Sequence, residues 1–111
     1  MKKIVFSNNS SWSIYNFRIN LLKKLVKEGY EVEILSTPGP YLKLLKDNGF
    51  TVHEINFENS SKGLYENISL IFNYLRCYRR IKPDLVLHNA IKPNIYGGIA
   101  CSILQIPVIN N

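Results

Sequence analysis

An α/β domain built on a parallel sheet is predicted by three observations. Short apolar runs led by β-branched residues alternate with amphipathic helical stretches along the chain. Stop and turn residues fall between them: Gly29, Pro38-Gly39-Pro40, Asn48-Gly49 and Pro83-Asp84. The length, 111 residues, suits a single domain with one ordinary core.

Lys3-Ile4-Val5-Phe6-Ser7 reads as a buried first strand. A polar loop follows, Asn8 to Ser13. Ile14, Phe17, Leu21, Leu22, Leu25 and Val26 then recur at helical spacing, with Lys23, Lys24, Lys27 and Glu28 opposite and Gly29 as the stop. Glu31-Val32-Glu33-Ile34-Leu35-Ser36 is the second strand. Tyr41, Leu44 and Leu45 mark a short helix ended by Asn48-Gly49, and Phe50 to Ile55 alternates as the third strand with Phe50 and Val52 on one face. Asn56 to Glu66 is the longest irregular stretch, too long for a plain connection. Helical spacing resumes at Ile68, Ile71, Phe72, Leu75 and Tyr78. Leu85-Val86-Leu87 is the fourth strand; a last helix carries Ile95, Ile99 and Ile103; Ile106-Pro107-Val108-Ile109 is the fifth strand. The expected architecture is a Rossmann-like parallel sheet of about five strands, order 3-2-1-4-5, with helices on both faces.

Composition narrows the function classes. With 46% hydrophobic and 20% charged residues the chain is globular, not disordered or fibrous. No apolar run reaches the ~20 residues of a membrane span. The start turns polar too soon for a signal peptide, so a cytoplasmic location is expected. Cys77 and Cys101 lie far apart and away from His53 and His88, so both are read as buried, reduced packing residues and no metal site is expected. The net charge of +6 is concentrated in places. Arg76, Arg79, Arg80 and Lys82 crowd together, and Lys2, Lys3, Lys23, Lys24 and Lys27 lie near the start. Such a surface favours phosphate-rich partners, or it is a solvated helix face.

Ligands of open parallel sheets collect at the carboxyl ends of the strands near the reversal of strand order. Three loops qualify. Asn8 to Ser13 lacks the GxGxxG fingerprint, which argues against a nicotinamide cofactor. Ser11 or Ser13 either caps the following helix or helps aim its N–H groups at an anion. Trp12 either packs as a lid or offers a flat face to a sugar or base. The long stretch after strand three brings Lys62 over a ligand, or is merely a mobile loop. His88-Asn89-Ala90-Ile91-Lys92-Pro93-Asn94 leaves strand four. Pro93 suits the first helical position, and Lys92 beside that helix start calls for an anionic guest. His88 titrates near neutrality there, or is a satisfied core residue. There is no Ser-His-Asp set and no carboxylate pair at useful spacing, so the chain carries at most half of an active site.

Two stretches are recognisable. Ser11-Trp12-Ser13-Ile14-Tyr15-Asn16-Phe17-Arg18 and Ile91-Lys92-Pro93-Asn94-Ile95-Tyr96-Gly97 resemble the N-terminal domain of glycosyltransferase family 4 enzymes. Gly29-Tyr30-Glu31-Val32, Lys82-Pro83-Asp84-Leu85-Val86 and Ile106-Pro107-Val108-Ile109 extend the resemblance over essentially the whole chain. It implies half of a GT-B architecture, in which residues 1–111 form the acceptor-side domain and the donor-binding C-terminal domain is absent, as in a fragment or truncated product. It implies transfer of a sugar from a sugar nucleotide, with retention and without a metal or other cofactor, in bacterial capsule or related polysaccharide biosynthesis.

The implied acceptor is a polyprenyl-pyrophosphate-linked saccharide at the inner face of the cell membrane. The implied acceptor or phosphate contacts are Ser11, Trp12, Asn16, Arg18, Lys62, His88, Asn89, Lys92 and Asn94, with Arg76, Arg79 and Arg80 lying against anionic lipid rather than nucleic acid. Many relatives carry His where this chain has Leu87, and some carry one at Asn89. His88 lies one step off, which turns it to the other face of the strand. The alternative is a non-catalytic recruitment module that partners a separate donor-binding chain.

Overall fold

Residues 2–55 and 64–111 are described by the computed structural model. Lys3–Asn8 (β1), Glu31–Ser36 (β2), Thr51–Glu54 (β3), Leu85–Asn89 (β4) and Val108–Asn110 (β5) form one sheet in the order β3-β2-β1-β4-β5. Every neighbouring pair is parallel, so the expected order and class are those observed. The helices are Ser11–Ser13 (α1), Ile19–Lys27 (α2), Leu42–Asp47 (α3), Leu64–Ile81 (α4) and Gly98–Leu104 (α5). Two π-helical turns, Ile14–Arg18 and Pro93–Gly97, lead into α2 and α5.

Alternation along the strands divides the core into two layers. Val5, Leu35 and Val86 face α4 and α5 and pack with Tyr74, Cys77, Tyr78, Ala100 and Cys101. Phe6, Val32 and Ile34 face the other way, onto Ile14, Leu22, Leu42, Leu45 and Phe50. Val52 joins that second layer beside Phe50, as its alternation predicts. Both cysteines are free and buried, and burial pushes the Cys101 thiol up to about 12. Gly29, at φ 99°, lets the chain reverse after α2 while the Tyr30 amide bonds back to the Leu25 carbonyl at 3.1 Å.

Some boundaries differ from those read off the sequence. β5 begins only at Val108, because Pro107 has no N–H for the ladder and offers just its carbonyl, to the Val86 amide at 3.0 Å. β4 runs on to Asn89, since its polar end still pairs with β1. α4 starts at Leu64, inside the stretch expected to be irregular, and residues 56–63, including Lys62, lie outside the described residues.

One polar cluster is built into the sheet. Glu33, only 8% exposed on β2, is held by His53 Nε2 at 2.6 Å and Lys3 Nζ at 3.3 Å. Lys3 Nζ also donates to the Ile81 carbonyl at 3.0 Å, tying the sheet to the end of α4. Burial alone would raise the Glu33 pKa, but hydrogen bonds from His53 and Lys3 outweigh it and hold the carboxyl below its ordinary 4.5. A folded-state pKa lower than the unfolded one gives stabilisation that is complete above pH 4.5 and fades as pH falls through the folded value. Glu33→Gln is therefore expected to be less stable near neutral pH, and to lose less of its remaining stability on acidification. Urea midpoints of both proteins across that range check it; parallel losses would contradict it.

Candidate functional site

The central strand ends in polar residues. Asn8 of β1 lies in register between Ser36 of β2 and Asn89 of β4 at the carboxyl edge of the sheet. The chain then turns: Asn8 Oδ1 accepts from the Ser10 amide at 3.0 Å. Ser10 is extended (φ −139°, ψ 106°), and its Oγ accepts from the Ser13 amide at 3.2 Å. Ser10 is thus the helix cap, not Ser11 or Ser13, because only a residue with extended backbone turns its hydroxyl onto the free amides. Thr37 Oγ1 donates to the Asn9 carbonyl at 2.8 Å and pins the loop to the end of β2.

On the other side of the switch point, Asn89 ends β4 and Ala90 adopts φ 101°, a left-handed conformation that costs a non-glycine residue about 1–3 kcal/mol. That bend starts the next helix at once. Ile91 and Lys92 are already helical, and the Asn94 amide bonds to the Ala90 carbonyl at 3.1 Å, so Pro93 is not the first helical residue as expected. Strain of this kind collects where a loop is held for a purpose.

Between these two loops lies a groove of about 540 Å3, lined by Asn8, Asn9, Ser10, Ser13, Phe17, Arg18, Asn89 and Ala90. Amides and hydroxyls dominate the lining, with one cation, Arg18, and no carboxylate among the described residues. Arg18 belongs to no ion pair among the described residues, which leaves its positive charge for a guest. The chemistry suits an anion carrying hydroxyl groups.

The structure brings Arg18 and Asn89 together in this groove and places Trp12 exposed at its rim, edge to face with Phe17 at 5.3 Å. Asn16 is exposed beside them and donates Nδ2–H to the Trp12 carbonyl at 2.9 Å, bracing the π-turn. Ser11 does not line the groove as expected. It is 6% exposed, beneath Gly39, where a Cβ would lie 2.8 Å from its Oγ. Lys92 and Asn94 are half-buried and are not among the residues lining the groove, and Asn94 Nδ2 donates to the Asn111 carbonyl at 2.8 Å. Asn8, Asn9, Ser10 and Ser13 belong to the loop the strand-end rule selects. The polar end of an otherwise apolar strand was the available signal for Asn8.

His88 requires the largest revision. It is 1% exposed, on the face of β4 turned to α4 and α5. Asn110 Oδ1 can only accept, at 2.9 Å, so Nδ1 carries the proton, and the Tyr78 hydroxyl donates to Nε2 at 2.8 Å. Burial lowers the His88 pKa below its ordinary 6.5, with the Asn110 bond partly opposing, so the ring is neutral at pH 7. The ring is buried and hydrogen-bonded through both nitrogens. It clamps α4, β4 and β5 together, and Gly97 supplies the room: a Cβ there would lie 2.5 Å from Nε2.

Arg76, Arg79 and Arg80 are exposed on α4 and, with Phe72 and Leu75, line a second groove of about 510 Å3. Among the described residues no helix is long and apolar enough to cross a membrane, and no three His, Cys, Asp or Glu gather as metal ligands.

Comparison with known proteins places this groove in context. Over 105 residues the chain is 26% identical to the N,N'-diacetylbacillosaminyl-diphospho-undecaprenol alpha-1,3-N-acetylgalactosaminyltransferase of Campylobacter jejuni, covering 95% of this chain and 28% of that protein. The crystal structure of Acinetobacter baumannii MurG superposes with a TM-score of 0.79 at 21% identity, over 99% of this chain and 35% of that one. A UDP-GlcNAc 2-epimerase from Neisseria meningitidis superposes with a TM-score of 0.73 at 16% identity, over 97% of this chain and 31% of that one. The chain thus spans about a third or less of these relatives, and the fold is shared by a glycosyltransferase from Rickettsia africae and by the epimerase, so fold alone does not choose the chemistry. The sequence does choose the family: residues 3–111 match the glycosyl transferase 4-like family, and the chain belongs to it.

Proposed function

We propose that this chain is the acceptor-binding unit of a retaining glycosyltransferase that extends a lipid-linked diphosphate saccharide in bacterial surface-glycan synthesis. The observation that carries the reading is the groove at the switch point, with neutral hydrogen-bonding groups, one cation and no carboxylate among the described residues. The substrate named for the Campylobacter relative, a sugar on diphospho-undecaprenol, has the matching chemistry. Arg18 holds the diphosphate by charge-assisted bonds, while Asn8, Ser10, Ser13 and Asn89 bond sugar hydroxyls and orient the acceptor. His88 acts indirectly, by fixing β4 against α4. The sugar nucleotide is bound by residues outside this chain, whose cationic groups and helix N-termini stabilise the departing diphosphate.

Calorimetric titration with a water-soluble glycosyl diphosphate tests the reading. Saturable binding without sugar transfer is expected when sugar nucleotide is added; no binding, or turnover by the 111 residues alone, would overturn it.

The second groove favours a cytoplasmic face of the membrane as the place of action. Arg76, Arg79 and Arg80 beside exposed Phe72 combine charge for anionic headgroups with an apolar contact. The triple replacement by Gln is expected to weaken binding to phosphatidylglycerol vesicles about a hundredfold at low salt, at about 1 kcal/mol per arginine. Equal sedimentation of both proteins with the vesicles would contradict this.

A further inference from the structure

The π-turn after β1 changes which side chains share a face. In an α-helix, residues five apart point about 140° away from each other. A turn closed over five residues brings them into line. Trp12 and Phe17 are five apart across the turn Ile14–Arg18, and their rings meet edge to face at 5.3 Å. Leu21 follows one helical turn later in α2. All three are open to solvent, at 48%, 65% and 46% exposure. Scattered apolar residues on a surface need no explanation, but three aligned as a ridge do.

The ridge is continuous with the polar groove, because Phe17 also lines that groove beside Arg18. An apolar ridge running out of a cationic, hydroxyl-bonding groove fits an amphiphile whose anionic head and hydrocarbon tail are directly joined. We infer that Trp12, Phe17 and Leu21 form a hydrocarbon subsite that takes the first isoprene units of a polyprenyl diphosphate whose head lies at Arg18. This rests on the acceptor reading above and adds where the lipid runs. A sugar stacked here would want polar partners along the ring. Asn16 instead directs its Nδ2 to the Trp12 carbonyl, and the ridge continues as leucine.

Trp12 is the chain's single tryptophan, so its emission reports on this ridge alone. The chain is titrated with geranylgeranyl diphosphate below its micelle concentration, and separately with inorganic pyrophosphate. The expected result is a blue shift with the prenyl compound only, and prenyl diphosphate binding at least about tenfold tighter than pyrophosphate. Leu21→Ser, an exposed position whose replacement leaves the core intact, is expected to weaken prenyl diphosphate binding about tenfold and leave pyrophosphate affinity at its wild-type value. Equal affinity for both compounds without a shift would overturn the subsite and leave the groove reading standing. Binding of neither would overturn the acceptor reading and the subsite with it. A blue shift that grows with protein concentration alone, and vanishes in Leu21→Ser, would make the ridge a self-association surface and overturn the proposal.

Discussion

Gly97→Ala is expected to destabilise the domain by about 2–3 kcal/mol, a large loss for one methyl group. The added Cβ would lie 2.5 Å from His88 Nε2 and 2.9 Å from Cε1, inside contact distance of a ring that cannot retreat. Tyr78 holds that ring from α4 at 2.8 Å and Asn110 holds it from β5 at 2.9 Å. Moving it would strand a buried hydroxyl, which adds its own desolvation cost. A double-mutant cycle separates this from loss of helix geometry. His88→Ala alone is destabilising, through a cavity and an orphaned Tyr78 hydroxyl. In the His88→Ala background, Gly97→Ala is expected to cost under about 1 kcal/mol, because the obstructing ring is gone. Denaturant unfolding of the four proteins measures the coupling. Strict additivity would contradict the clamp.

The second large effect is on binding. Arg18→Gln is expected to lower pyrophosphate affinity about ten- to a hundredfold, as loss of one charge-assisted contact in a partly desolvated groove implies. Arg18 is half-buried at the end of the first π-turn and is the one cation in the lining among the described residues. The Arg76, Arg79 and Arg80 replacements should not share this effect, since those side chains line a different groove. Isothermal titration of each variant distinguishes the two basic regions. Equal losses from both would mean that binding follows net charge and not the groove.

The middle of the sheet was legible because β1 and β2 are buried along nearly their whole length and, with β4, carry apolar runs between clear turn residues. Val5, Ile34 and Val86 could hardly lie elsewhere than in a core, and all are fully buried. The location of the candidate groove was partly legible: the strand-end rule selects the loops after β1, β3 and β4, and the groove lies between the first and the last of them, while residues 56–63 of the other lie outside the described residues. Its individual residues were less so. Ser10, Ser11 and Ser13 are chemically alike, and which one caps the helix depends on where the backbone leaves the extended region. Ser11 is buried close to Gly39, where a Cβ would lie 2.8 Å from its Oγ, a proximity that spacing along one helix cannot reveal. His88 shows the same limit from the other side. Alternation turned it from the face of Leu87 correctly, but the partners that make it a clamp, Tyr78 and Asn110, come from α4 and β5. The π-turns were not legible at all. Trp12 and Phe17, five apart, fit a regular helix poorly, and only the extra residue in the turn aligns them; Leu21 then follows Phe17 at ordinary helical spacing.

The most direct test of the groove at the switch point is an amide NMR titration with pyrophosphate. The predicted result is saturable shifts largest at Asn9, Ser10, Ser13, Arg18 and Ala90, abolished in Arg18→Gln. Shifts confined to Arg76, Arg79 and Arg80, or none that saturate, would contradict it.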